Sequence, residues 1–140
     1  MKLTYLLDTG VLNAYLRGRA GAVALVDPWV VQGQAATSVL VYGEIVEFLQ
    51  GLADGDRREA ELREVLRDVH PYQLTYPILR RYASLRRAMR PPQGPGIIGD
   101  VDALIAATAL ERGCTLVTLD GDFTRVPGLP VMQVDRSALR

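Results

Sequence analysis

Four carboxylates stand where apolar runs stop or helices begin. Asp8 follows Leu6-Leu7, and Glu44 lies early in an apolar-striped segment that opens at Ser38. Asp102 begins Val101-Asp102-Ala103-Leu104-Ile105-Ala106-Ala107, and Asp120 follows the run Thr115 to Leu119. Each has a plainer role when taken alone. Asp8 can cap a helix, and Glu44 can bury its stem at the edge of an apolar stripe while keeping its head in water. Asp102 favours a helix dipole, and Asp120 suits the turn before Gly121. As a set they point elsewhere, because converging carboxylates raise one another's pKa unless a cation joins them. Oxygen-only donors select a hard ion such as Mg²⁺ or Mn²⁺. Such an ion can activate water and stabilise charge on a phosphoryl oxygen, which is the chemistry of phosphodiester hydrolysis. All four acids are therefore candidate catalytic and metal-binding residues.

What the chain lacks narrows the chemistry further. His70 is the only histidine, so a two-histidine ribonuclease mechanism is excluded, and it is expected on the surface at the end of an exposed helix. No GxxxxGK[ST] phosphate loop and no GxSxG elbow occurs. The single cysteine, Cys114, excludes an internal disulfide and reads as a small buried hydrophobe.

The elements that must position the acids can be read from periodicity. Strands are expected over 2–7, 35–37, 72–74, 115–119 and 131–134. Helices are expected over 11–16, 22–31 (loosened by Pro28), from Ser38 to the Gly51–Gly55 region, 56–68, from Pro77 to about Arg90, and 101–111. Ser38 is read as an N-cap, and Asp100 as the better cap of the 101–111 helix. Gly113 ends that helix, and Pro91 to Gly96 is a loop. Short strands alternating with helices make the class α/β with a mainly parallel sheet. Ligands in such sheets bind beyond the carboxyl ends of the strands. Asp8 and Asp120 both stand at that edge.

With 140 residues, the chain is expected to form one domain over 1–140. Its 16 basic and 16 acidic side chains cancel, so net charge does not announce a nucleic-acid partner. The N-terminal apolar run is cut by Asp8, which argues against a signal peptide. No stretch approaches a membrane span, and a reducing, cytoplasmic setting is expected.

In order, LLDTGVL, SVLVYGEI, GDVDALIAATAL, TLVTLDGDF and RVPGLPV resemble the PIN-domain ribonucleases, and among them the VapC-type toxins of prokaryotic toxin–antitoxin pairs. The resemblance covers nearly the whole chain. Its acids fall on Asp8, Glu44, Asp102 and Asp120. Thr9, Asp100, Thr118 and Asp122 are candidate supporting residues. Gly10 stands where the family often carries Ser or Asn. The resemblance implies a three-layer sandwich with a central sheet flanked by helices, metal-dependent cleavage of RNA, homodimerisation and inhibition by a partner antitoxin.

Arg80, Arg81, Arg86 and Arg87 crowd the helix after Pro77 and are candidate RNA contacts. Arg86 leans toward an apolar stripe of Ile78, Leu79, Tyr82, Leu85 and Met89. Asp8-Thr9-Gly10 also matches the triplet of retroviral-type aspartic proteases, but that family is all-β and the segments here are helical. The remaining alternative is a non-catalytic PIN-like module that binds RNA or protein.

Overall fold

Segments of three or four residues pair into one sheet in the computed structural model, which describes residues 2–140. The strands are β1 (Tyr5–Leu7), β2 (Ala35–Ser38), β3 (His70–Tyr72), β4 (Thr115–Thr118) and β5 (Val131–Gln133). Their order is β3-β2-β1-β4-β5, and every pair is parallel. In β1, β2 and β4 apolar and small residues run nearly without alternation. That is the pattern of strands covered on both faces.

Six helices flank the sheet: α1 (Thr9–Leu16), α2 (Ala20–Val31), α3 (Val39–Leu49), α4 (Gly55–Val65), α5 (Tyr76–Met89) and α6 (Asp100–Arg112). The first four pack in one connected group, and α5 packs on α6. The core between helices and sheet includes Leu6, Leu7, Leu12, Ile45, Ile105, Leu116 and Phe123, all essentially inaccessible. Caps set the helix ends. The Ser38 hydroxyl accepts from the Leu40 amide at 3.1 Å, as its position predicts. Gly113 closes α6 at φ 68°, a conformation glycine takes without steric cost.

The strand order places the site. From β1 the chain builds outward to β2 and β3, then returns to lay β4 and β5 on the other side. The order therefore reverses between β1 and β4, and the crevice beyond their carboxyl ends is the position such sheets use for ligands. The Asp8 amide donates to the Val117 carbonyl at 2.9 Å, extending the β1–β4 ladder one residue into that crevice.

Several expectations are corrected. The third strand covers His70–Tyr72 rather than 72–74, so His70 lies in a strand, not at a helix end, although it is exposed as expected. Register explains this: His70, Pro71 and Tyr72 oppose Ala36, Thr37 and Ser38. Proline is tolerated because β3 is an edge strand, where a missing amide need not break a ladder. Gly99, not Asp100, caps α6, and Asp100 is instead its first residue, ion-paired with Arg86. Leu79 is 38% exposed, so it stands outside the buried stripe of α5. In the apolar-striped segment that opens at Ser38, Phe48 shares helical spacing with Val41, Ile45 and Leu49 but is 60% exposed where they are buried. The helix over 22–31 begins earlier, at Ala20, and runs through Pro28.

Candidate active site

Asp8 is the N-cap of α1, and both of its carboxylate oxygens are engaged. The Thr9 amide donates to Oδ1 at 2.8 Å, and the Thr118 hydroxyl donates to Oδ2 at 2.7 Å. Thr118 is fully buried at the end of β4, and its oxygen in turn accepts from the Asp120 amide at 3.0 Å. On the other side, the Thr9 hydroxyl donates to Glu44 Oε1 at 2.6 Å. A continuous network therefore runs Glu44–Thr9–Asp8–Thr118–Asp120 and ties α3, α1, β1 and the end of β4 together. Asp120 Oδ1 accepts from the Asp122 amide at 2.8 Å, which orients its carboxylate within the turn.

Asp102 enters from the first turn of α6, half-buried. Burial pushes its carboxyl up to about 6, with further rises from the charges of Asp8, Asp120, Glu44 and Asp122. Asp8 is also raised, first by burial. The Thr118 and Thr9 hydrogen bonds pull it back down, while Glu44 and Asp120 push it up. The structure thus brings Asp8, Glu44, Asp102 and Asp120 within electrostatic reach of one another. Among the described residues none of the four is ion-paired, so their charge is uncompensated.

The other expected residues are distributed less uniformly. Thr9 and Thr118 lie inside the network. Asp100 turns to Arg86, and Asp122 stands 3.9 Å from Arg125. On α5, Arg81 pairs with Glu111 at 3.1 Å, and Arg86 pairs with Asp100 and sits over the Tyr82 ring at 5.6 Å. Arg80 and Arg87 remain exposed. Gly10 faces Leu119: a Cβ at position 10 would lie 2.8 Å from Leu119 Cδ1, so a serine there would require that side chain to move. Asn13, Arg17, Arg19, Arg136 and Arg140 were not legible as site residues. They line a cleft beside Gly10 and Leu119 but come from separate parts of the chain.

A hard divalent cation fits this donor set by chemistry, since all the donors are oxygens, and burial followed by mutual repulsion raises Asp8 and Asp102. No three His, Cys, Asp or Glu side chains among the described residues stand ready as a metal cage. Mg²⁺ does not need one, because it retains several waters and takes only one or two carboxylates directly.

An all-parallel α/β sheet with a carboxylate-lined crevice at its order reversal defines the class. The family described as PIN domain matches residues 5–129, and the chain belongs to it. Similar solved structures include VapBC2 from Rickettsia felis bound to a DNA fragment from their promoter. Its TM-score is 0.83 at 22% identity, over 95% of this chain and 100% of that one. DNA-bound VapBC from Salmonella typhimurium gives 0.81 at 17% identity, over 94% and 98%. FitAcB from Neisseria gonorrhoeae gives 0.75 at 24% identity, over 93% and 97%. At these identities the likeness is one of fold. No curated protein matches the chain.

Proposed function

We propose that this chain is an Mg²⁺- or Mn²⁺-dependent endoribonuclease, one nuclease domain over 1–140, acting in the cytoplasm as the toxin of a toxin–antitoxin pair. The observation that carries the reading is the Glu44–Thr9–Asp8–Thr118–Asp120 network with the unpaired Asp102 carboxylate beside it. A partly buried network that gathers four acids, Asp8 and Asp102 half-buried and Glu44 and Asp120 exposed, accumulates like charge, and a ligand cation would relieve that repulsion. Asp8, Asp102, Asp120 and Glu44 are the residues that would hold it. When bound, the ion supplies charge stabilisation at the phosphoryl group and a more acidic water.

The chain's own contribution is orientation and proton handling. Thr9 and Thr118 fix both oxygens of Asp8, so this carboxylate cannot rotate away from the crevice. Among the described residues the Asp102 carboxylate makes no such hydrogen bond, which leaves its oxygens free to hold the ion or to take up a proton. Support for the toxin assignment comes from the family and from the fold, which is shared with VapBC and FitAB complexes. A separate antitoxin protein and a second copy of this chain are the proposed partners.

The test is incubation of the purified protein with end-labelled RNA in Mg²⁺, in Mn²⁺ and in excess EDTA. Cleavage confined to the metal-containing reactions is expected. Binding of RNA in Mg²⁺ with no cleavage in either metal would favour a non-catalytic module instead.

A further inference from the structure

The four acids repel the phosphates of RNA, and the chain as a whole carries no net charge to compensate. Any affinity for a polyanion must therefore come from a local cluster. One exists beside the acids. Gly10, Asn13, Leu119 and the arginines Arg17, Arg19, Arg136 and Arg140 line a cleft of about 310 Å³. Leu119 is the shared wall: it sits between Thr118 and Asp120 of the acid network and across from Gly10, two residues after Asp8. All four arginines are exposed, and among the described residues none makes an ion pair.

The cleft is built rather than accidental. Arg17 ends α1 and Arg19 caps α2. The Arg19 amide donates to the Ala14 carbonyl at 3.1 Å, and the Gly21 amide donates to the Arg140 carbonyl at 2.8 Å. Gly21 passes so close to Ala138 that a Cβ there would lie 2.0 Å from its carbonyl oxygen. The backbone thus pins the segment carrying Arg136 and Arg140 against the segment carrying Arg17 and Arg19. A second cavity of about 500 Å³ shares Leu119 and Arg136 and runs on past Gln133 to Asp135. The two cavities thus adjoin at Leu119 and Arg136.

We propose that this cleft is a phosphate-binding subsite, in which Arg17, Arg19, Arg136 and Arg140 hold backbone phosphates of the RNA strand whose scissile bond lies at the acids. The proposal rests on the ribonuclease reading above. Guanidinium groups present planar forks that pair two-pronged with phosphate oxygens. The arginines of α5 are less suited, because Glu111 and Asp100 already engage Arg81 and Arg86.

The experiment measures binding of a labelled single-stranded RNA by fluorescence anisotropy across a salt series, in an Asp102→Asn background so that no cutting intervenes. Arg17→Gln with Arg136→Gln should weaken binding about tenfold or more and flatten the slope of log affinity against log salt by about 1.4, at roughly 0.7 per lost phosphate contact. Arg81→Gln with Arg86→Gln, whose guanidinium groups are already engaged by Glu111 and Asp100, makes the same change in net charge and should have a much smaller effect. Each single cleft variant should give about half the slope change, which keeps the test decisive if the double variant melts early. Equal losses from the two pairs, or none from the cleft pair, would overturn the subsite. So would displacement of RNA from the cleft at equal charge concentration by a polyglutamate peptide, which would assign it to an acidic protein segment. Failure of the unsubstituted protein to cut RNA would sink the ribonuclease reading while leaving the binding comparison intact.

Discussion

Asp102→Asn is expected to lower RNA cleavage in Mn²⁺ by at least about a hundredfold, in the range seen when a positioned proton-transfer or charge-stabilising group is removed. The substitution is nearly isosteric, and among the described residues the Asp102 carboxylate accepts no hydrogen bond that asparagine would lose. Its carboxyl is raised to about 6 by burial and by Asp8, Asp120, Glu44 and Asp122, so removing the charge relieves repulsion. The metal-free variant should therefore melt above the unsubstituted protein while cutting far less. Asp8→Asn should be equally inactive but differs in stability. Thr9 and Thr118 both donate to Asp8, and an amide can satisfy only one of them. Losing the other bond costs about 1 kcal/mol, against the relief of repulsion. Cleavage rates and melting curves of the two variants check both halves. Near-normal cleavage by either would remove that residue from the site.

Saturating Mn²⁺ should raise the melting temperature substantially at pH 7.5. A ligand at a hundred times its dissociation constant stabilises the native state by about 2.7 kcal/mol. For a domain of this size that corresponds to roughly 6–10 °C. The pH dependence of the metal-free protein follows from the same acids. Asp102 has a folded pKa near 6 against an ordinary value of 3.8, and Asp8 is raised as well. Between those pH values the folded state binds more protons than the unfolded one, so the contribution of these groups to stability falls as pH rises through that window. The half-exposed setting of Asp102 screens the effect. Metal-free protein should thus gain stability from these groups near pH 5, while the Mn²⁺ increment should shrink there because protons compete for the same oxygens. Thermal melts at pH 5 and 7.5, with and without Mn²⁺, give all four values. A pH-independent melt with no Mn²⁺ increment would mean that the acids neither repel nor hold a cation.

The parts of the fold written in local chemistry were legible in the residues. Ser38 caps its helix, Gly113 ends another, and the carboxyl-end rule placed Asp8 and Asp120 at one crevice, where β1 and β4 prove to be neighbours. The parts decided by distant pairing were not. Pro71 disguised β3 because its place in a strand depends on β2 opposite and on an open edge beyond. Phe48 and Leu79 carry apolar side chains at helical spacing, yet no neighbouring element covers them fully. The same limit hid the arginine cleft. Arg80, Arg81, Arg86 and Arg87 stand out because they fall as two adjacent pairs on one helix, although two of them are engaged by acids from elsewhere. Arg17 and Arg136 are separated by most of the chain and become neighbours only when α2 packs against the last turn. For Thr9 and Thr118, sequence could mark a hydroxyl beside an acid. It could not show that the two together hold Asp8 and link Glu44 to Asp120.

The central claim is that the carboxylates direct water at phosphorus, with no histidine pair to activate the ribose 2′-hydroxyl. In-line attack by water expels the 3′-oxygen, and the chain's only histidine lies on edge strand β3. End-group analysis of RNA cut in Mn²⁺ reads the outcome directly. One product should carry a 5′-phosphate and the other a free 3′-hydroxyl. A 2′-deoxy substitution at the cleaved linkage should still permit cutting. Ends carrying 2′,3′-cyclic phosphate as the main product would rule out attack by water.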